Sequence, residues 1–369
     1  MIATLQIQVT DLCNLKCPYC YVKQRKNVLT FDMFLKQYEK LDKLFSLFDY
    51  YKPEYRKFNV GFFGGEPLLN LDVILEITDF LRKENKIADV HIQTNGTILT
   101  KEIVDTLNIN NIEWSYSYDG LWQSSDVYNH NEIRTLSMDK KIRSCDFFRG
   151  SPKIMVSPSS LDTLIENYQY FEDLNILTPD FTLVRDDIWS SEDIEKYDRQ
   201  MDVLTNYLID KTLSSGVIHS LGMFDLYIAD TIAGTKYGKR AFSCFSATNG
   251  CVITPIGVIY PCTRFYSNDK FPLYDCINDV IYHDNINFFQ RNASSPIHFD
   301  KCKKCSLYKV CNVGCNYSQL EYGNFEEFKP VDSVCEMFKI TYKYAYKYYR
   351  SVNTKVDYLK QIERRYFNG

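Results

Sequence analysis

Cys13, Cys17 and Cys20 stand in a C-x3-C-x2-C pattern within residues 10–21, Thr-Asp-Leu-Cys-Asn-Leu-Lys-Cys-Pro-Tyr-Cys-Tyr. The pattern comes directly after a segment in which Leu5, Ile7 and Val9 alternate with polar residues, as in a strand. Iron-sulfur cubanes are held by Cys thiolates, so a loop that supplies three of the four leaves one iron with an open position for a reactant. A zinc knuckle short of its fourth ligand, or a turn with buried thiols, fits the same residues.

Further strands are expected at 58–63, 90–94, 112–118, 153–156 and 181–184. Phe34, Leu35, Tyr38, Leu41, Leu44 and Phe45 recur at helical spacing and predict a first crossover helix, with further helical patterns at 71–81 and 191–213. Strands separated mostly by helices indicate a parallel sheet with right-handed crossovers. Gly64-Gly65-Glu66-Pro67, Gln93-Thr94-Asn95-Gly96 and Ser117-Tyr118-Asp119-Gly120 each fall where one of these strands ends. At Gly64-Gly65 the missing Cβ atoms allow close backbone approach.

With Tyr19 before the third Cys, this series resembles the radical S-adenosylmethionine (SAM) enzymes and their GGEP, TNG and SxDG motifs. The resemblance implies an α/β chain built on a partial (β/α)6 TIM barrel, with its site at the carboxyl ends of the strands. It implies a [4Fe-4S] cluster on Cys13, Cys17 and Cys20 that passes one electron to SAM. The products are methionine and a 5'-deoxyadenosyl radical that takes hydrogen from a substrate. Gly64, Gly65 and Glu66 would serve the SAM amino group, and Asn95, Ser117 and Asp119 its ribose and carboxylate. Residues 121–150 depart from the family pattern. There Arg134, in His130-Asn131-Glu132-Ile133-Arg134, is a candidate for a bidentate contact to the SAM carboxylate, with Arg143 or a surface salt bridge as alternatives. Cys145 lies outside every motif and reads as a structural thiol.

Cys302, Cys305, Cys311 and Cys315 follow C-x2-C-x5-C-x3-C; Cys244, Cys251 and Cys262 precede them and Cys335 follows. Two structural zinc sites fit this spacing as well as two iron-sulfur sites do. The set, with Gly257 at the turn before Cys262, resembles the SPASM domain of peptide-modifying radical SAM enzymes, which carries two auxiliary [4Fe-4S] clusters. The match puts Cys244, Cys251, Cys262 and Cys315 on the first auxiliary cluster and Cys302, Cys305, Cys311 and Cys335 on the second, three clusters in all. Cys145 and Cys276 are left over. The expected division is 1–234 barrel, 235–340 SPASM domain and 341–369 helical tail.

A net charge of −4 and pI near 5.8 create no general field for nucleic acid or an anionic membrane. No apolar run approaches a membrane span, and the first residues lack the basic start of a signal peptide. Thirteen Cys without an export signal favour metal ligation in the reducing cytoplasm. Near the C-terminus, Tyr342, Tyr346 and Tyr349 predict a stripe packed on the barrel, and Lys339, Lys343, Lys347 and Arg350 a solvated basic face or a docking surface.

The expected function is therefore a maturase that crosslinks or oxidises a peptide or protein side chain, fed by an electron donor such as flavodoxin or ferredoxin. Recognition of a precursor would fall to the two domains, to the insertion at 121–150 or to a separate protein. Formylglycine formation is an alternative, but those enzymes carry Asp after the residue matching Cys262, where Thr263 and Arg264 stand here. A metal scaffold or redox sensor is the other alternative, against which Glu66 and the triple-Cys loop weigh. No catalytic residue is assigned.

Overall fold

A computed structural model describes residues 2–17, 20–48, 57–118, 152–236, 244–292, 299–311 and 314–366. Asp119, Arg134, Arg143 and Cys145 lie outside the described residues. All six expected strands form: β1 (Ile2–Thr10), β2 (Lys57–Gly64), β3 (Ile87–Thr94), β4 (Glu113–Tyr116), β5 (Lys153–Val156) and β6 (Asp180–Leu183). The described residues fall into two compact units, drawn mainly from Met1–Ser117 with Phe245–Ala293 and from Ser151–Cys244 with Ser294–Gly369.

In the first unit a strand not anticipated from the sequence, β7 (Gly250–Ile253), joins the sheet beside β1. The order is β4-β3-β2-β1-β7 and every pairing is parallel. β1 is therefore an interior strand, paired on both sides in a parallel sheet, which is why Ala3, Leu5, Ile7 and Val9 are buried and why Gln8 and Thr10 are buried with them. Gly250 allows this packing, since a Cβ there would stand 2.4 Å from the Thr4 carbonyl oxygen. Beyond β7, the short strands β8 (Val258–Ile259), β9 (Tyr274–Asp275) and β10 (Val280–Ile281) form an antiparallel sheet. The turn into β8 places Gly257 at φ 75°, as expected of that glycine.

The first crossover is two helices, Phe31–Tyr38 and Leu41–Phe45, where one was expected. The Lys40 N–H turns to the Gln37 carbonyl at 3.1 Å in a tighter, three-residue closure, and the chain changes direction while Phe34, Leu41, Leu44 and Phe45 stay buried. Thr30 caps the first helix by accepting from the Met33 N–H.

In the second unit β5 and β6 pair in parallel. Helices Ser191–Ser215, opened by the Ser190–Asp193 capping box, and Gly222–Lys236 both pack against helix Asp332–Val352. The last of these buries Val334, Met337, Phe338, Thr341, Tyr344, Ala345, Tyr348 and Val352. The packing face is thus offset from the expected Tyr342–Tyr346–Tyr349 stripe, and Tyr346 is exposed. Two of the expected solvated cations are paired along the same interface, Lys343 with Asp198 at 2.8 Å and Lys347 with Asp202 at 2.7 Å.

Candidate active site

Because the first sheet is parallel, the ends of β1, β2, β3 and β4 lead out on one side, and each leads into a sequence motif. The Cys loop follows β1. The Gly65 N–H donates to the Thr10 carbonyl and the Glu66 N–H to the Leu12 carbonyl, both at 2.8 Å, so the turn after β2 continues the pairing alongside the loop. A Cβ on Gly64 would lie 2.7 Å from the Thr10 oxygen, and one on Gly65 2.2 Å from the Leu12 oxygen and 2.8 Å from Cys13 Cβ. Both glycines are required by the approach of the Cys loop itself.

Glu66 is fully buried. Its Oε1 accepts from the Leu68 N–H at 3.1 Å and from Thr94 Oγ1 at 2.6 Å, and its Oε2 from the Asn95 N–H at 2.8 Å. One carboxylate thus ties the turn after β2 to the end of β3. Asn95 extends the link to the Cys loop: its Nδ2 donates to Asn14 Oδ1 at 2.9 Å and lies 3.8 Å from Cys13 Sγ, which also accepts from the Leu15 N–H. Its Oδ1 accepts from Thr97, and Asn14 Nδ2 donates to Thr97 Oγ1 at 2.7 Å. Ser117 accepts from Gln93 Nε2 at 3.0 Å. Thr94 of the TNG motif and Asn14 of the Cys loop were given no role from the sequence, and Thr97, just after Gly96, lies outside the motifs altogether.

The base of the loop is fixed by a second network, also missed. Asp11, 1% exposed, accepts from Tyr266 Oη at 2.6 Å, Asn27 Nδ2 at 2.8 Å and Gln8 Nε2 at 3.2 Å. Burial, reinforced by the Asp11 carboxylate, pushes the Tyr266 hydroxyl well above its ordinary pKa, so it stays a donor. Arg25 stacks 5.4 Å from the Tyr266 ring and pairs with Asp269 at 2.6 Å.

Cys262 precedes the short helix Thr263–Ser267. Thr263 Oγ1 lies 3.0 Å from Tyr21 Oη, and the Arg264 guanidinium carbon 5.3 Å from the Tyr21 ring centre. Burial of its hydroxyl pushes the Tyr21 pKa up to about 12, which removes it as a base near neutrality. Cys276, left over in the ligand count, is buried with its pKa pushed up to about 12, an inert thiol.

Cys302, Cys305, Cys311 and Cys335 line one cavity in the second unit, with Leu307, Tyr308, Phe338 and Lys339. A set of four sulfur donors around one space fits a cubane, which needs four thiolates at its corners. Among the described residues no three Cys, His, Asp or Glu side chains converge on a point as ligands of a single ion. Cys251 and Cys262 belong to the first unit, Cys244 and Cys315 to the second. No helix among the described residues is long and apolar enough to cross a membrane.

Residues 7–119 match the family model "Radical SAM superfamily". The chain is 24% identical over 379 residues to the radical SAM cyclopropyl synthase TigE of Paramaledivibacter caminithermalis, covering 92% of this chain and 73% of that one. It is 24% identical over 371 residues to a cysteine-type anaerobic sulfatase-maturating enzyme of Clostridium perfringens, covering 90% and 93%. Its fold matches anSMEcpe with bound AdoMet at TM-score 0.71 and 19% identity, over 99% and 98% of the two chains. The same protein with AdoMet and the Cp18Cys peptide matches at 0.69 and 18% identity, over 96% and 99%. With the motif-bearing strand ends on one side of a parallel sheet, residues 7–119 carry a radical SAM domain, of the kind that uses SAM and a [4Fe-4S] cluster.

Proposed function

We propose that this enzyme is a maturase that modifies a side chain of a peptide or protein, forming a thioether or carbon-carbon crosslink or an oxidised residue. The observation that carries the reading is the Glu66–Asn95–Cys13 frame, which holds the Cys loop, the Gly-Gly turn and the end of β3 as one unit. Relatives named as TigE and as sulfatase-maturating enzymes, and a fold neighbour bound to AdoMet and a peptide, support the substrate class.

Cys13, Cys17 and Cys20 would hold the SAM-reactive cluster, and Cys302, Cys305, Cys311 and Cys335 an auxiliary one. Cys244, Cys251, Cys262 and Cys315 are proposed for a second auxiliary cluster, so that 235–340 acts as the auxiliary-cluster module. When bound, cluster and SAM supply a 5'-deoxyadenosyl radical that removes a substrate hydrogen. Around them the chain's own groups bind and orient. The backbone at Gly64 and Gly65, with Glu66 fixing the turn, would bind the SAM amino group. Asn95 and Ser117, with Asp119 and Arg134, would serve its ribose and carboxylate. A small electron carrier such as flavodoxin or ferredoxin supplies the electron, in a reducing compartment such as the cytoplasm.

Formylglycine formation is the second reading, favoured by the sulfatase-maturating relative. Thr263 weighs against it. The residue after Cys262 offers a hydroxyl bonded to Tyr21, whose own hydroxyl stays protonated, so neither supplies the base. Coexpression with short neighbouring reading frames under reducing conditions tests the proposal. A peptide mass lowered by two hydrogens, dependent on Cys17, is expected; unchanged masses in every pairing, together with the aldehyde mass on a Cys-x-Pro-x-Arg peptide, would favour the second reading.

A further inference from the structure

The thiols of Cys302, Cys305, Cys311 and Cys335 are only half-buried, so whatever they hold lies near the surface of the second unit. The chain around them is cationic. Asp300 to Cys311 carries Lys301, Lys303, Lys304 and Lys309 against Asp300 alone, in a protein whose net charge is −4. Lys301 pairs with Asp332, Lys303 with Asp300 and Lys339, which lines the cavity, with Glu336. Lys304 and Lys309 are exposed, and neither forms an ion pair among the described residues. Lys304 immediately precedes Cys305, and Lys309 follows Tyr308, which with Leu307 also lines the cavity.

We infer that this rim, with Lys304 and Lys309 as its unpaired charges, is the docking surface for a small acidic one-electron carrier protein. The inference rests on the proposed cluster at these four thiolates. Local positive charge on an otherwise anionic chain steers an acidic partner to one place, and it acts through the rate of encounter more than through final affinity. Two unpaired lysines are too few to grip nucleic acid, which needs a longer row of phosphate contacts. The half-exposed thiol set that lies next to these lysines along the chain selects a redox partner over an acidic peptide. One electron passes from the reduced carrier to the cluster, which leaves the carrier oxidised by one and the cluster reduced by one, with no proton moved.

The test uses the full chain, reconstituted anaerobically, with a reduced bacterial flavodoxin as the carrier and stopped-flow absorbance as the readout. Binding of the oxidised flavodoxin is followed in parallel by calorimetry, which does not depend on turnover. Lys304→Glu/Lys309→Glu is expected to slow second-order electron transfer about tenfold at low salt and to weaken binding, with the gap closing at high salt. Reduction by dithionite stays unchanged. Lys355→Glu/Lys360→Glu, exposed elsewhere on the same unit, alters net charge equally and leaves the rate as it was. The inference is overturned if wild type shows no salt-sensitive binding, if the rim variant behaves as wild type, or if the control variant loses as much. Failure of the cluster reading looks different: a Cys302→Ala/Cys305→Ala variant would then retain all of its iron.

Discussion

The backbone N–H of Asn95 donates to the carboxylate of Glu66 at 2.8 Å, so the residue that opens the turn after β2 holds the residue that follows β3. With Thr94 on the other oxygen, this carboxylate makes three bonds in a fully buried position. Glu66→Gln keeps the shape but presents an amide N–H to one of these donors. Stability is expected to fall by about 1–3 kcal/mol in denaturant titrations. Formation of 5'-deoxyadenosine from SAM should drop at least about tenfold while iron content holds, because the Cys ligands are untouched. Unchanged turnover would remove Glu66 from the SAM-binding frame.

Gly65 makes a sharper prediction. The Cβ of Gly65→Ala would meet the Leu12 carbonyl carbon and oxygen, backbone atoms that no side-chain rotation relieves. The Cys13 end of the loop has to move, and the variant is expected to lose about four irons per chain, those of one cubane, with the others retained. Full iron content in Gly65→Ala contradicts the tight docking.

The strands and the motifs at their ends were legible because the first sheet is parallel and buried. Its apolar runs and the Gly, Asn and Ser residues that end them are set by local chemistry. β7 was not legible: Gly-Cys-Val-Ile is short, and only the close approach of Gly250 to Thr4 shows why it belongs beside β1. The Asp11–Tyr266 bond spans 255 positions, and no local periodicity announces such a pair. The C-terminal helix illustrates a register problem. Tyr recurs so densely from 342 to 349 that two adjacent faces both read as aromatic, and packing selects the face with Tyr344 and Tyr348.

Position 263 tests the choice between substrate chemistries. Thr263→Asp places a carboxylate beside Cys262 within reach of Tyr21, whose hydroxyl can donate to it. Wild type is expected to leave a Cys-x-Pro-x-Arg peptide unchanged, and the variant to produce traces of aldehyde detectable by mass. Efficient aldehyde formation by wild type would establish the sulfatase-maturase reading instead.

Asp230 predicts a pH dependence of stability. It is 3% exposed, and its Oδ1 has no hydrogen-bond partner among the described residues. Burial raises its pKa from 3.8 to about 7. Between those values the folded chain keeps a proton that the unfolded chain has released. The contribution is therefore full below the lower value and is lost as pH rises through the upper one. Asp230→Asn should match wild type near the acid end of this window and exceed it above neutrality, by up to about 4 kcal/mol. Denaturation midpoints on both sides of the window measure this. Parallel curves for the two proteins would contradict a buried, proton-holding carboxyl.

The central claim is that eleven thiolates hold three clusters and that the loop after β1 holds the SAM-reactive one. Iron and sulfide per chain after anaerobic reconstitution test it most directly, with wild type compared against Cys13→Ala/Cys17→Ala/Cys20→Ala. A fall from about twelve to about eight irons, with loss of SAM cleavage, is the predicted result. Little iron, about two zinc ions per chain and no change in the triple variant would contradict it and point to two structural four-thiolate zinc sites.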